Sequence, residues 1–270
     1  MGVLNATPDS FSDGGLWSER GQALRHALEM VEAGADIIDV GGESTRPGAE
    51  PVSLQQELDR VIPLVEAIAA ESDVAISVDT SKPEVMEAAV AAGAGLLNDV
   101  FALRAEGALE TAARLGVPVC VMHMQGRPRD MQREPRYDDV VGEVEAFLLA
   151  RAAACRAAGI AAERVLIDPG FGFGKTLEHN IALFHALPRF CSLGYPVLVG
   201  VSRKAMLGAI TGRPVEQRAP ASVAAALLAA RAGASIVRVH DVAATVDALR
   251  VAERLTPPAA ALETPRSRNG

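Results

Sequence analysis

The segment Asp168-Pro169-Gly170-Phe171-Gly172-Phe173-Gly174-Lys175-Thr176 puts a carboxylate where an apolar run, Val165-Leu166-Ile167, gives way to a loop. Three alternate glycines permit backbone angles and close approaches that a Cβ would forbid, which suits a pocket floor. The two phenylalanines between them are expected to line that pocket as an aromatic wall and not to enter a core. Gly174-Lys175-Thr176 invites comparison with a phosphate-binding P-loop, but that motif needs a glycine five residues before Gly174, and Pro169 stands there. Lys175 is therefore expected at a helix start or on the surface.

Seven other apolar runs also end in polar residues: Asn5, Asp39, Asp79, Asn98, His123, Ser202 with Lys204, and Arg238 with His240. One polar residue after a strand is ordinarily a turn former or a helix cap. Asp79-Thr80-Ser81-Lys82-Pro83 reads equally well as a helix start with proline in its first turn. Eight such ends together are harder to explain that way. Two carboxylates (Asp79, Asp168), two amides (Asn5, Asn98) and Lys204 around one cavity suit a flat heterocycle. A carboxylate can accept two parallel hydrogen bonds from an amino group and a ring N–H, and an amide or ammonium can serve the remaining edge. Arg46, Arg203, Arg238 and His240 make the other half of the cavity cationic, which fits an anion such as a diphosphate. Ring and anion recognition side by side point to displacement of a phosphate leaving group.

The elements that must position these residues alternate along the whole chain. Strands are expected near Gly2 to Leu4, Asp36 to Val40, Val74 to Val78, Gly95 to Asn98, Val117 to Met122, Val165 to Ile167, Val197 to Val201 and Ser235 to Val239. Alanine-rich helical stretches separate them, for example Glu19 to Ala33, Ser53 to Ala70, Lys82 to Ala91, Asp138 to Ala158 and Leu177 to Leu187. Eight βα units are best closed as a parallel (β/α)8 TIM barrel, an α/β fold whose active site lies at the C-terminal ends of the strands. A doubly wound open sheet is the alternative, at the cost of two edges to protect. Residues 1–255 form one barrel domain in this reading, and 256–270, lacking a sustained apolar face, form a loose tail. The segments Thr7 to Gly15 and Gly41 to Gly48 are turn-rich loops on the active-site face, expected to act as lids; a basic loop runs from Met124 to Arg136.

Composition narrows the class. A net charge of −8 and an aromatic content of 4% disfavour nucleic acid as a partner. No apolar run is long enough to cross a membrane, and the start has neither a basic n-region nor a cleavage site, so a cytoplasmic location is expected. Cys120, Cys155 and Cys191 lack the spacing of a disulfide framework or zinc site and are expected to pack.

Eight segments in order resemble the dihydropteroate synthase family of pterin-binding barrels: Leu4 to Gly15, Asp39 to Gly48, Ser77-Val78-Asp79-Thr80, Asn98-Asp99, Met122-His123-Met124-Gln125-Gly126, Asp168 to Lys175, Ser202-Arg203-Lys204 and Arg238-Val239-His240. The resemblance implies an enzyme that condenses 6-hydroxymethyl-7,8-dihydropterin diphosphate with 4-aminobenzoate, giving 7,8-dihydropteroate and diphosphate, and that works as a homodimer with Mg2+. It implies Asp79, Asn98, Asp168, Lys204 and Arg238 as catalytic residues. The pterin would be held by Asp79, Asn98, Met122, Asp168 and Lys204, and the diphosphate by Asn5, Arg46, Arg238 and His240, with the metal at Asn5. The aminobenzoate subsite would comprise Thr45, Arg46, Pro47, Phe173 and Ser202. Lys204 and the pterin are expected to offset repulsion between Asp79 and Asp168. Two departures stand out: Met1 falls almost inside the first strand, where family members carry an extra segment, and position 205 is alanine where some relatives have serine.

Overall fold

The computed structural model describes residues 1–6, 15–44 and 48–256. Residues 7–14 of the expected first lid, most of the tail and positions 45–47 lie outside the described residues. Strands and helices alternate, with two helices after each of the sixth and seventh strands: β1 (Gly2–Asn5), α1 (Gly15–Glu32), β2 (Ile37–Gly41), α2 (Leu54–Glu71), β3 (Ala75–Asp79), α3 (Pro83–Ala91), β4 (Leu96–Asp99), α4 (Ala108–Leu115), β5 (Val119–Met122) and α5 (Val140–Ala157). There follow β6 (Val165–Asp168), α6 (Leu177–His185), α7 (Leu187–Cys191), β7 (Leu198–Val199), α8 (Ala205–Thr211), α9 (Ala219–Arg231), β8 (Ile236–Val237) and α10 (Val242–Leu255).

Strands β1 to β6 pair in parallel in sequence order, and β7 pairs with β8. Single bridges close the ring, Ile167 to Val197 and Gly2 to Val239, backed by Val3 N–H donating to Val239 O at 3.0 Å. The closed barrel is the expected one, with β7 and β8 shorter than their apolar runs suggested.

Strand periodicity then decides which residues meet. Ile38, Val40, Val78, Leu97, Val119, Val121, Val165 and Val199 point outward into two apolar layers beneath the helices. Their neighbours point into the barrel. Met1, Leu96, Cys120, Leu166 and Leu198 pack together as its apolar lower layer, with Ile37 and Ile236 against them. Two residues further along the same strands stand Asp39, Asn98, Met122, Asp168, Gly200 and Arg238. A single alternation of side chains thus yields both a dry floor and a polar mouth. Helix starts are fixed locally: Ser53 and Thr176 form capping boxes with Gln56 and His179, and Asp139 caps α5.

Candidate active site

The register places Asp79 beside Asn98 and Met122 beside Asp168 at the strand ends. Across the barrel the Arg238 guanidinium reaches between two carboxylates, donating from Nε to Asp39 Oδ2 at 2.6 Å and from Nη2 to Asp79 Oδ2 at 3.2 Å. Asn98 Nδ2 donates to the same Asp39 oxygen at 3.1 Å. Burial pushes the Asp79 carboxyl up to about 7, against the pull of Arg238, while Asp39 adds to the rise. The ionic partner of Asp79 is therefore Arg238. Asp39, fully buried, is the anchor that the sequence reading left without a role.

On the opposite side Asp168 is buried, and burial raises its pKa while Lys204 opposes the rise. Its Oδ1 accepts from Gly170 N–H at 2.7 Å. Gly170 has φ +70, and a Cβ there would overlap the carbonyl oxygen of His123, so this tight crossing of the β6 loop over the end of β5 requires glycine. Lys204 Nζ donates to Phe171 O and stands 4.5 Å from the centre of the Phe173 ring. Burial lowers its pKa to about 8. Met122 lies in a small cluster with Val100, Met124 and Met131, against which Phe173 packs.

Two expectations about this loop are corrected. Phe173 stands beside Lys204 at the polar strand ends, but Phe171 is fully buried and meets Phe184 edge-on with centroids 5.8 Å apart. Lys175 does stand at a helix start, one residue before Thr176, the cap of α6, but it is 3% exposed and so not a surface residue. Its ammonium lies among the carbonyls of Gly170, Phe173 and His123, and 2.9 Å from His123 Nδ1. Burial draws its pKa down to about 7 and that of His123 to about 3, so the imidazole is neutral.

At the third corner, Ser202 Oγ is 3.0 Å from His240 Nδ1 and accepts from the His240 backbone N–H at 3.2 Å. Two residues expected in separate subsites are thus adjacent. Arg203, expected among the anion-binding cations, instead pairs with Asp241 at 2.6 Å. Asn5 ends β1 half-buried, facing Gly41 of β2 in the register. Among the described residues no group of three acidic, histidine or cysteine side chains could hold a metal ion. Asn5 offers one amide oxygen, a donor set that fits magnesium only if phosphate and water complete the shell, as this ion commonly requires. Thr45, Arg46 and Pro47 lie outside the described residues. The base of their loop is nonetheless secured: Lys82 Nζ donates to Glu43 at 2.5 Å and to the buried Glu57, which also accepts from Thr80 Oγ1 at 2.5 Å. Glu57 was missed, although an acid on the apolar stripe of α2, four residues before Val61, was a visible signal.

A cluster of carboxylates with Arg238 and Lys204 among them at the strand ends agrees with the comparisons to known proteins. Residues 1–240 match the model of a family described as pterin binding enzyme. The dihydropteroate synthase of Escherichia coli K12 is 54% identical over 253 residues, spanning 94% of this chain and 90% of the relative. The chain belongs to the dihydropteroate synthase family. Solved members superpose closely. The Xanthomonas albilineans enzyme with 4-aminobenzoic acid gives a TM-score of 0.90 at 56% identity, covering 95% of this chain and 93% of that one. The Yersinia pestis enzyme in complex with a sulfonamide drug gives 0.90 at 53% identity, covering 94% and 92%. Among the described residues no helix is long and apolar enough to cross a membrane.

Proposed function

We propose that this cavity joins 6-hydroxymethyl-7,8-dihydropterin diphosphate to 4-aminobenzoate, forming 7,8-dihydropteroate and diphosphate, as the family assignment supports. The observation that carries the residue assignment is the convergence of Asp79, Asn98, Asp168, Lys204 and Arg238 on one barrel mouth above an apolar floor.

In this reading the Asp168 carboxylate accepts from the exocyclic amino group and a ring N–H of the pterin, and Asn98, Asp79 and Lys204 serve the remaining edge, with Met122 against the ring. Arg238, fixed by Asp39 and Asp79, stands where the ring and the diphosphate meet. Asn5, Arg46 and His240 complete the anion subsite, and Thr45, Pro47, Phe173 and Ser202 the aminobenzoate subsite. The bond from the pterin methylene carbon to the diphosphate oxygen breaks, and its electron pair leaves with diphosphate. The electron-rich dihydropterin supports the positive methylene carbon. The arylamine nitrogen then forms the new C–N bond and loses a proton to water. Catalysis by these residues is positional and electrostatic, with no side-chain nucleophile. Magnesium is the proposed metal, held by Asn5 with the substrate's phosphates, and when bound it would offset charge on the leaving group.

The proposed setting is cytoplasmic, and the proposed assembly a homodimer. Leu228 and Val251, more than half exposed on the adjoining α9 and α10, are apolar surface that a second copy could cover; sedimentation equilibrium tests the assembly. For the reaction, diphosphate release should require both substrates and be inhibited by a sulfonamide. A methyl transferase or a silent pterin binder of the same superfamily would release none. Asp168→Ala should abolish pterin binding in calorimetry, and unchanged affinity would overturn the assignment.

A further inference from the structure

Lys175 is a buried amine for which the reaction has no chemical use. Its Nζ lies 2.9 Å from Gly170 O, 3.0 Å from Phe173 O, 3.3 Å from His123 O and 2.9 Å from His123 Nδ1. In its ammonium form it has three donors and no acceptor, and Nδ1 then accepts with the His123 proton on Nε2. The acceptors come from two places, the end of β5 and the loop after β6. Within that loop, Gly170 O and Phe173 O bracket a turn that Phe173 N–H closes on Gly170 O at 3.1 Å. The ammonium thus holds both ends of the turn and the neighbouring strand at one point. Phe173, at the far end, packs against the methionine cluster containing Met122 and lies beneath Lys204. Asp168 depends on this point less, because its carbonyl accepts from His123 N–H at 3.0 Å in the barrel ladder.

We propose that Lys175 is a positioning residue, whose ammonium ties the β6–α6 loop to the end of β5 and so fixes Phe173 as the wall of the aminobenzoate subsite. The inference rests on the aminobenzoate assignment given above. Shape alone would be kept by Lys175→Met, which has similar length and no donors. The loop retains other anchors in that variant: Tyr137 donates to Gly174 O at 2.8 Å, and Gly172 N–H to Asn180 Oδ1 at 2.7 Å. Lys175→Gln, which keeps an N–H pair, serves if the methionine variant fails to fold.

The test measures steady-state kinetics with 4-aminobenzoate and the pterin diphosphate, calorimetric affinity for a pterin ligand, and hydrogen exchange over residues 170–176. The expected result is a KM for 4-aminobenzoate raised about tenfold or more, since small misplacements of a positioning wall are costly. Pterin affinity should stay within about twofold, as for a site that shares no partner with the change. Exchange should rise in that segment and nowhere else. Equal losses for both substrates, or an unchanged KM with unchanged exchange, would overturn the inference. Parent protein that releases no diphosphate would sink the functional reading itself, and with it the subsite that Lys175 is said to position, whatever the exchange result.

Discussion

Asp79→Asn tests whether the barrel mouth keeps a carboxylate at the expense of stability. Burial raises the Asp79 pKa from 3.8 to about 7 although Arg238 lies 3.2 Å away. The unfolded chain ionises this group near its ordinary value, so between roughly pH 4 and pH 7 the folded state holds an extra proton. Stability therefore falls as pH rises through that window, and the full deficit is present above it. At about 1.4 kcal/mol per pH unit, the rise sets an upper bound of about 4 kcal/mol. Asparagine avoids the charge, but an amide N–H turned toward Arg238 would forfeit about 1–2 kcal/mol of the gain. The variant should be about 2 kcal/mol more stable at pH 8, or roughly 5 °C in Tm for a chain of this size, with no gain at pH 4. Scanning calorimetry at both pH values reads the difference. A Tm at pH 8 equal to or below that of the parent would refute the reasoning, because it would mean that Arg238 fully compensates the buried charge.

Gly170→Ala should destabilise by about 3 kcal/mol in denaturant unfolding, combining a left-handed alanine with overlap of a backbone carbonyl that cannot swing aside. A loss below about 1 kcal/mol would show that β5 and the β6 loop are free to separate. Lys82→Met leaves Glu57, 1% exposed, without its cation and should cost about 3 kcal/mol in urea. Adding Glu57→Gln should restore most of that loss, and a strictly additive double variant would remove the ion pair from the account.

The barrel was legible because its signals are local and repeated: short apolar runs, helical spacers and a polar residue at every strand end. Period-two alternation makes the site readable as well, since Leu166 in the floor and Asp168 at the mouth, or Leu96 and Asn98, are separated by one outward residue. What stayed hidden depends on directions that a few dihedral angles set. Phe171 lies between Gly170 at φ +70 and Gly172 at φ +79. Those turns aim its ring at Phe184, while Phe173, two residues on, packs beside Lys204 and the Met122 cluster, and composition treats the two alike. Lys175 was misread for a related reason. Charge ordinarily argues for the surface, but a glycine loop pressed against a neighbouring strand carries carbonyl oxygens into a dry space with few backbone donors to meet them. A buried lysine at the end of such a loop answers that shortage, because three donors on one flexible stem can serve acceptors from two segments. Asp39 belongs to the same class of hidden residue. Its type and strand position were visible, yet its role required knowing that Arg238, 199 residues away, would reach across the barrel to it. The residues that bind by type can be found along the chain, whereas those that hold them in place become identifiable only once the strands have closed.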